Sequence, residues 1–334
     1  MAALTRRHAL GLGFGFGASA LLAGCGVKTG GDGKDGSDFP RRPVELVVPF
    51  APGGSTDLVA RMLAKEIQRP LGQTMVVVNR EGAAGAVGTK DVIGAPADGY
   101  KIGFAPSSLF TLTPQLVKNA DAPALDALRV VTGLTVENIV IVAHRDSPYR
   151  SLEDLIRLKD GGKRITFGHS GVGTGSYFAQ AAFYKLAGVN AVDVPFGGGG
   201  PAVTAVLGRQ VDVGALHLAE SMKLVQSGEL RWLALFSQRR SPLLPDVPTV
   251  TEKGFDLTVD QARFIAGPAG LPDEAAGTLR DAFRQAVRST EYDAFLKKNF
   301  IDRFETDGVT VQAKIRSDAE RYKALIDRFG LQPK

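Results

Sequence analysis

The chain has 334 residues, which is enough for two domains of ordinary size. Its formal net charge is +5, and no basic run interleaved with aromatic residues occurs along it. These properties argue against a nucleic-acid partner, because binding to phosphate groups needs a concentrated basic surface. The hydrophobic content of 44% is ordinary for a globular protein and can supply a sizeable core.

Residues 1–24 have the features of a bacterial signal peptide. Arg6 and Arg7 form a twin-arginine pair ahead of an apolar stretch, residues 11–23, that is shorter than the roughly 20 residues needed to span a bilayer. Residues 22–25 (LAGC) resemble a lipobox, in which Cys25 becomes the acylated first residue of the mature protein. A transmembrane anchor or an ordinary buried cysteine is the alternative. We therefore expect a lipoprotein exported by the twin-arginine route and attached to the outer face of the membrane.

Cys25 is the only cysteine, so no internal disulfide is expected. Residues 25–39, which follow the predicted cleavage site, are rich in glycine and charged residues and have almost no apolar content. This composition is typical of a flexible tether. The sequence thus predicts a globular body, from residue 40 onward, held near a membrane by a lipid anchor.

From residue 44 onward, apolar runs typical of strands alternate with helical patterns. The predicted strands are 44–50, 74–78, 101–105, 130–135, 139–143, 164–168, 191–195, 211–216, 231–236 and 263–266. The helices predicted between and after them are 56–71, 89–93, 151–158, 177–186, 201–207, 219–226, 273–287, 292–299 and 309–329. This alternation predicts an α/β protein with mostly parallel sheets flanked by helices. Ligands of such sheets bind beyond the carboxyl ends of strands, where the loops containing Gly53, Gly171 and Gly197 are placed.

Two of these loops have the composition of an anion-binding site. Residues 52–57 place two glycines and two hydroxyl side chains at the start of a helix, and residues 171–176 place three glycines and two hydroxyl side chains at the start of another. A helix N-terminus preceded by glycines presents backbone N–H groups and a positive dipole end to an anion. The pair predicts a clamp for one carboxylate, and ordinary strand-to-helix turns remain the alternative.

The second loop also resembles a dinucleotide-binding fingerprint. Gly171, Gly173 and Gly175 follow a predicted strand, and Asp193 lies about 20 residues further on. Ser176, however, occupies the sixth position, where the motif has Gly or Ala for close helix packing. An exported dinucleotide-binding enzyme is therefore the alternative function.

Other catalytic or metal-binding patterns do not occur. Val172 stands where a nucleophile elbow around Ser170 needs glycine, and no phosphate-binding loop has the required spacing. The histidines outside the leader are not at metal-ligand spacing, and His217 ends a strand near the predicted cleft, either as a pocket residue or as an interior one. We expect no catalytic residues, no metal and no cofactor.

Arg263 lies just before an apolar run, in the segment that returns to the first domain. A guanidinium at such a hinge would hold a second ligand carboxylate bidentately. The alternative is a surface ion pair.

The order of several short motifs resembles the substrate-binding receptors of tripartite tricarboxylate transporters. The clearest is residues 49–57 (PFAPGGSTD), followed by Ala60 and Arg61. The further matches are residues 71–73, 78–80, 82–88, 98–100, 194–196, 228–231, 233–234 and 245–249. Together they cover residues 40–329.

This resemblance implies a two-lobed, hinge-closing periplasmic-binding-protein fold of type II. Lobe 1 would contain residues 40–138 and 263–334, and lobe 2 residues 139–262. It also implies a monomer that captures a small organic carboxylate and delivers it to a two-subunit membrane permease. With Arg263 in the cleft, a di- or tricarboxylate is the favoured ligand.

The resemblance also implies which residues bind the ligand. Two loops would grip one carboxylate, through Gly53, Gly54, Ser55, Thr56 and Asp57 on one side and Gly171, Gly173, Thr174, Gly175 and Ser176 on the other. Ser107, Ser108, Pro195, Gly197 and Gly198 would line the rest. Glu220 and Arg263 match the Glu and the Trp-Arg-Gly arginine of the tricarboxylate branch, but Ala262 and Phe264 replace the Trp and Gly. Pro201 stands where an acid is common.

Overall fold

The computed structural model describes residues 39–242, 244–331 and 333–334. The predictions for the signal peptide, for lipidated Cys25 and for all but the last residue of the tether lie outside the described residues. Among the helices that are described, none combines the length and apolarity needed to cross a bilayer.

The described chain alternates strands and helices along most of its length. Its strands are β1 (Val44–Val48), β2 (Met75–Asn79), β3 (Lys101–Pro106), β4 (Leu128–His144), β5 (Ile165–His169), β6 (Ala191–Pro195), β7 (Val213–His217), β8 (Leu230–Leu235), β9 (Asp260–Pro268) and β10 (Asp302–Asp307). Its α-helices are α1 (Ser55–Glu66), α2 (Gln68–Leu71), α3 (Ala86–Ile93), α4 (Ser108–Thr111), α5 (Thr113–Leu116), α6 (Leu152–Ile156), α7 (Leu158–Gly161), α8 (Gly175–Ala187), α9 (Gly199–Leu207), α10 (Leu218–Gln226), α11 (Asp273–Ala286), α12 (Thr290–Asn299) and α13 (Gly308–Phe329).

These strands form one mixed sheet in the order β2-β1-β3-β9-β4-β7-β5-β6, and β8 and β10 also pair with β4. The pairs β1-β2, β1-β3, β5-β6 and β5-β7 are parallel. The central pairs β3-β9, β9-β4 and β4-β7 are antiparallel. The α/β class is as predicted, but the sheet is mixed rather than mostly parallel, because β4 and β9 each run against their neighbours.

Strand β4 corrects the prediction of two separate strands on either side of Glu137. It is continuous over 17 residues, because Glu137 is buried against a cationic partner and so does not interrupt the strand. As far as Asn138 it pairs with β9, and from Ile139 onward it pairs with β7. The change of partners thus falls at the predicted lobe boundary between residues 138 and 139.

Buried apolar side chains form separate clusters on the two sides of this change. One large cluster surrounds β1, β3, α1 and α11, and the other surrounds β5, β7 and α8. Helix α13 contributes to both sides, since Val311 packs in a cluster with Phe264 whereas Tyr322 joins the cluster around Phe178. A strand and a helix therefore run through both halves of the fold.

The carboxyl ends of β1, β5 and β6 lead through loops into α1, α8 and α9, and β7 leads directly into α10. These four connections meet at the centre of the fold. The Ala51 N–H donates to the Gly197 carbonyl at 3.2 Å. A Cβ added at Gly200 would lie 2.6 Å from the Pro52 carbonyl oxygen, so glycine is required where these two loops touch. The meeting point of the loops contains the candidate site.

Candidate functional site

A small polar cavity lies between the four strand-to-helix connections that follow β1, β5, β6 and β7. Its polar lining residues are Ser55, Thr56, Ser170, Thr174, Ser176, His217, Glu220, Gln261 and Arg263. Phe50 and two glycines, Gly54 and Gly199, complete the wall. The cavity volume is ≈ 10 Å³, which is room for about one water molecule. We call it the polar cavity.

The N-terminus of α1 points at this cavity and already has a carboxylate partner. The backbone N–H of Ser55 donates to Glu220 Oε1 at 2.9 Å, and the backbone N–H of His217 donates to Glu220 Oε2 at 2.9 Å. Gly54 lies beside the same carboxylate, and a Cβ there would be 3.5 Å from Glu220 Oε1. The end of α1 therefore acts as an anion site in this conformation, with Glu220 as the anion.

Arg263 and Glu137 form a buried ion pair at the back of the cavity. Their side chains are 1% and 2% exposed, and the Arg263 guanidinium donates through Nη1 to Glu137 Oε1. The Arg263 Nε–H donates to Thr56 Oγ1 at 2.9 Å, and the Ser55 hydroxyl donates to Glu137 Oε2. The surface ion pair considered for Arg263 is therefore wrong, since the pair is enclosed by β4, β9 and α1.

Burial shifts the pKa values of the titratable groups around the cavity. It raises the pKa of Glu220 from 4.5 to about 7, against the opposing effect of the hydrogen bonds from Ser55 and His217. Burial also raises the pKa of Glu137, although Arg263 opposes the shift. The pKa of His217 falls well below 6.5 because its ring is buried and lies near Arg263. At neutral pH the imidazole is therefore uncharged, and Glu220 is near its midpoint of titration.

His217 also offers an unused polar atom. Its side chain is 4% exposed, and within the described structure its Nδ1 has no hydrogen-bond partner. The nearest carboxylate oxygen recorded for it, Glu137 Oε2, is 3.8 Å away, which is too long for a hydrogen bond. Burying a polar atom without a hydrogen-bond partner raises the free energy of the folded protein. A polar group bound in the cavity would remove this cost by pairing with His217 Nδ1.

The loop before α8 is wound around two hydroxyl groups that line the cavity. Ser176 Oγ accepts from the Ser170 N–H at 3.0 Å, and the Thr174 hydroxyl donates to the Gly171 carbonyl at 2.7 Å. Gly171 and Gly173 have φ of +118° and +87°, a region that favours glycine. The predicted second arm of the clamp is thus a compact turn whose hydroxyls face the first arm.

Asp57 and the serines after β3 are placed away from the cavity. The Asp57 carboxylate accepts from the Gly53 N–H at 3.0 Å and from the Arg61 Nε–H at 2.9 Å, so it stabilises the first loop internally. Ser107 exchanges hydrogen bonds with the backbone of Ala262. Ser108 is buried with an unpartnered hydroxyl, but it lines no part of the cavity.

A second cavity adjoins the first, and we call it the side chamber. Its volume is ≈ 290 Å³, and it is lined by the loop of residues 82–86 together with Gly171 and Gly197. Phe50 and Ser170 line both cavities, so the two spaces are adjacent at these residues. Several other predicted residues line neither cavity.

Gly198 packs against Ala51, and Gly175 approaches Ile139 and Gln261. Pro195 is exposed at the end of β6. These three lie outside the lining of both cavities.

Sequence reasoning missed Glu137 and Gln261. The signal for Glu137 was a lone acid between two apolar runs, since a carboxylate inside a buried strand needs a cationic partner. Gln261 lies two residues before Arg263 in β9, and residues two apart in a strand share one face. Both side chains could therefore have been connected with Arg263 from the sequence.

The described residues also bear on cofactors and metals. Asp193, the acid expected to contact a dinucleotide ribose, lies 3.4 Å from His169 Nε2 and also pairs with Lys334. A Cβ at Gly173 would lie 3.0 Å from Thr113 Oγ1, so the glycine loop is covered by neighbouring chain. No group of three His, Cys, Asp or Glu side chains within the described residues is placed to hold a metal ion.

Comparison with known proteins identifies the family. Residues 59–331 match the family described as tripartite tricarboxylate transporter family receptor. A relative from Bordetella pertussis, protein BugT, is 31% identical over 307 residues, which cover 89% of this chain and 92% of the relative. The chain belongs to this receptor family. The family expected from the sequence motifs is therefore confirmed.

Solved structures of similar proteins agree with the fold of this tripartite tricarboxylate transporter receptor. The periplasmic binding protein BugD is 29% identical and superimposes with a TM-score of 0.84, covering 89% of this chain and 100% of its own. MatC from Rhodopseudomonas palustris, solved with bound malate, is 25% identical with a TM-score of 0.79, covering 86% and 100%. The α/β periplasmic-binding fold is confirmed, and membership makes the chain a solute-binding receptor that functions outside the cytoplasm.

Proposed function

We propose that this receptor captures a small organic carboxylate between two lobes and delivers it to a two-subunit membrane permease. The observation that carries the proposal is the polar cavity, where the end of α1 already donates a hydrogen bond to the Glu220 carboxylate and hydroxyls near the start of α8 line the same space. Donors that bind an internal carboxylate also suit a ligand carboxylate. The malate in the MatC structure supports the same ligand class.

Capture requires the two lobes to separate. We assign residues 40–138 and 263–334 to lobe 1 and residues 139–262 to lobe 2, because β4 changes partners at that boundary. The hydrogen bonds from Ser55 to Glu220 and from Ala51 to Gly197 then join the lobes in a closed form. A ligand would enter an open form and shift the equilibrium toward closure.

Delivery to a permease and attachment by lipidated Cys25 complete the proposal. The family's description as a transporter receptor supports the permease as the partner. The twin-arginine pair and the lipobox in the sequence support export and anchoring. The receptor would act as a monomer without a cofactor.

A thermal-shift screen against organic acids, followed by calorimetry of the hits, tests this function. Gly54→Val should abolish binding of every hit, because its side chain would project beside Glu220 and fill the polar cavity. Gly161→Val is the matched control, since nothing lies within 4 Å of a Cβ there. If no acid raises the melting temperature, or if a nucleotide co-purifies, the receptor function is wrong and the exported-enzyme alternative gains support.

A further inference from the structure

The side chamber is the space available to the part of the ligand that lies beyond its clamped carboxylate. It shares the lining residues Phe50 and Ser170 with the polar cavity, and Gly171 continues from Ser170 along its wall. A carboxylate held between the ends of α1 and α8 would therefore direct the rest of the molecule past Phe50 into this chamber.

The walls of the chamber are apolar and made of small residues. Residues 82–86 (GAAGA) form one side, and Val117, Val172 and Phe196 contribute to the others. The Thr113 hydroxyl is directed at the Gly173 carbonyl, to which it donates at 3.1 Å. The volume of ≈ 290 Å³ exceeds the roughly 150 Å³ of an apolar cavity that binds benzene. The chamber thus offers room for a ring or a short alkyl chain.

The described residues that line the chamber include no cationic side chain. Asp121 is the one ionisable side chain among them, and it is exposed and pairs with Lys90. The Glu81 carboxylate lies against Gly197 at the rim, where an added Cβ would overlap it. A second ligand carboxylate in the chamber would therefore meet apolar walls and no unpaired cation among the described lining residues, which lowers its affinity.

Arg263 does not supply that partner in this conformation. Its Nη1 is used by Glu137 and its Nε by Thr56, and the guanidinium lines the polar cavity rather than the side chamber. The predicted preference for a di- or tricarboxylate depended on a guanidinium directed at the far end of the ligand. The observed pairing removes that argument.

We propose that the ligand is a monocarboxylate with an uncharged, largely apolar body that occupies the side chamber. This inference rests on the proposed carboxylate-receptor function and specifies its substrate class. Clamp donors hold the carboxylate, and the small-residue walls hold the body by apolar contact.

Calorimetry with matched acids tests the inference. Hexanoate is compared with adipate, and benzoate with terephthalate, so that each pair differs by one carboxylate. We expect each monocarboxylate to bind at least about tenfold more tightly than its dicarboxylate, because the apolar walls offer the second carboxylate no cation. Equal or tighter binding of the dicarboxylates overturns the inference and leaves the receptor function standing. If none of the four acids nor any acid of the wider screen binds, the receptor function fails, and the inference fails with it.

A charge-insertion variant gives a second, independent measurement. Ala122 is half-buried and lines the chamber, whereas Ala124 is exposed and does not. Ala122→Lys should tighten adipate binding by about tenfold or more and change hexanoate binding little, because it supplies the missing cation. Ala124→Lys, the matched control, should change neither. A failure of Ala122→Lys to favour adipate over hexanoate contradicts the placement of the ligand body in the chamber.

Discussion

Glu220 accepts backbone hydrogen bonds from the start of α1 and from the end of β7, and it lies where the proposed ligand carboxylate would be held. Its neighbours from the surrounding elements are Arg263 on β9, Glu137 on β4 and His217 at the end of β7. The charges of Arg263 and Glu137 offset each other, and the His217 side chain is uncharged. The protonation of Glu220 therefore decides the net charge that an incoming carboxylate meets.

We predict that carboxylate affinity falls as the pH rises through 7. Burial raises the pKa of Glu220 to about 7, so the group is neutral below that pH and repels an anion above it. The loss should approach tenfold per pH unit above the pKa. Calorimetry from about pH 6 to about pH 8.5 measures it, since the acids themselves stay ionised over this range.

The Glu220→Gln variant is the control for this titration. It cannot ionise, so its affinity should be nearly constant over the same range, whatever its absolute value. An equal slope in both proteins would assign the pH dependence to another group.

The Glu137–Arg263 pair yields a stability prediction. Glu137→Ala leaves a buried guanidinium without its counter-ion, and we expect it to lower the free energy of unfolding by about 3–5 kcal/mol. Replacing both residues with Met removes both charges at once and should cost clearly less. Urea denaturation of the two variants checks this. A double variant that is at least as unstable as Glu137→Ala would contradict it.

At this scale the sequence located some site residues and misplaced others. Ser55 and Thr56 face the cavity because they begin a helix after a strand, a position visible in the sequence. Asp57, in the same turn, faces away because it binds Gly53 and Arg61 instead. Asp57 also accepts from the Asn79 side-chain amide at 3.0 Å, and this contact with a more distant segment could not be predicted from the local sequence pattern.

At the scale of elements, α3 is held unusually close to the end of β1. A Cβ added at Gly88 would lie 2.6 Å from the Arg80 carbonyl oxygen and 2.9 Å from Pro49 Cα. Both are backbone atoms, which cannot move aside easily. The helix thus positions the loop of residues 82–86, which forms a wall of the side chamber.

We predict that Gly88→Ala destabilises the protein by about 1–3 kcal/mol, as overpacking generally does, and weakens ligand binding. Gly94→Ala, at the residue that follows the same helix, is the control, since Gly94 has φ of −80° and its added Cβ would meet only the Lys90 carbonyl at 3.4 Å. Thermal unfolding and calorimetry of both variants measure the effects. Similar stability in both would show that α3 can shift without cost.

Periodicity predicted most of the helices and strands, because their apolar faces repeat regularly. It missed β10, whose burial pattern is mostly intermediate or exposed, and the single-turn helices α4 and α5. The prediction from periodicity also divided β4 into two strands. Glu137 interrupts the apolar pattern, and periodicity alone does not reveal its partner Arg263 on β9. The mixed sheet was missed for a related reason, since strand direction depends on the path of long connections.

At the scale of the whole molecule, the two proposed lobes meet closely at Ala51 and Gly198. A Cβ on Gly198 would lie 3.5 Å from the Ala51 Cβ, at the short end of the range found in disulfides. Gly198 has φ of 164°, which is extended backbone that a cysteine can adopt. These positions allow a covalent test of closure.

We predict that oxidised Ala51→Cys/Gly198→Cys, made in a Cys25→Ser background, cannot take up ligand and that reduction restores binding. The disulfide would hold the lobes together, and the polar cavity of ≈ 10 Å³ has no room for an acid to enter. Stopped-flow binding before and after reduction measures the effect. The single-cysteine variants are the controls, and an oxidised double variant that binds at the normal rate would argue against opening between the lobes.

The sharing of β4 between the two halves limits how the receptor can be re-engineered. Cutting the chain near residue 138 would divide β4 and separate its first part from β9 and β10, with which that part pairs, so neither piece would be a self-sufficient fragment. A circular permutant or a reporter insertion should instead use an exposed turn such as Gly161 and Gly162, where nothing packs within 4 Å of an added Cβ. A fluorescent sensor built there would keep intact the strand that the two proposed lobes share.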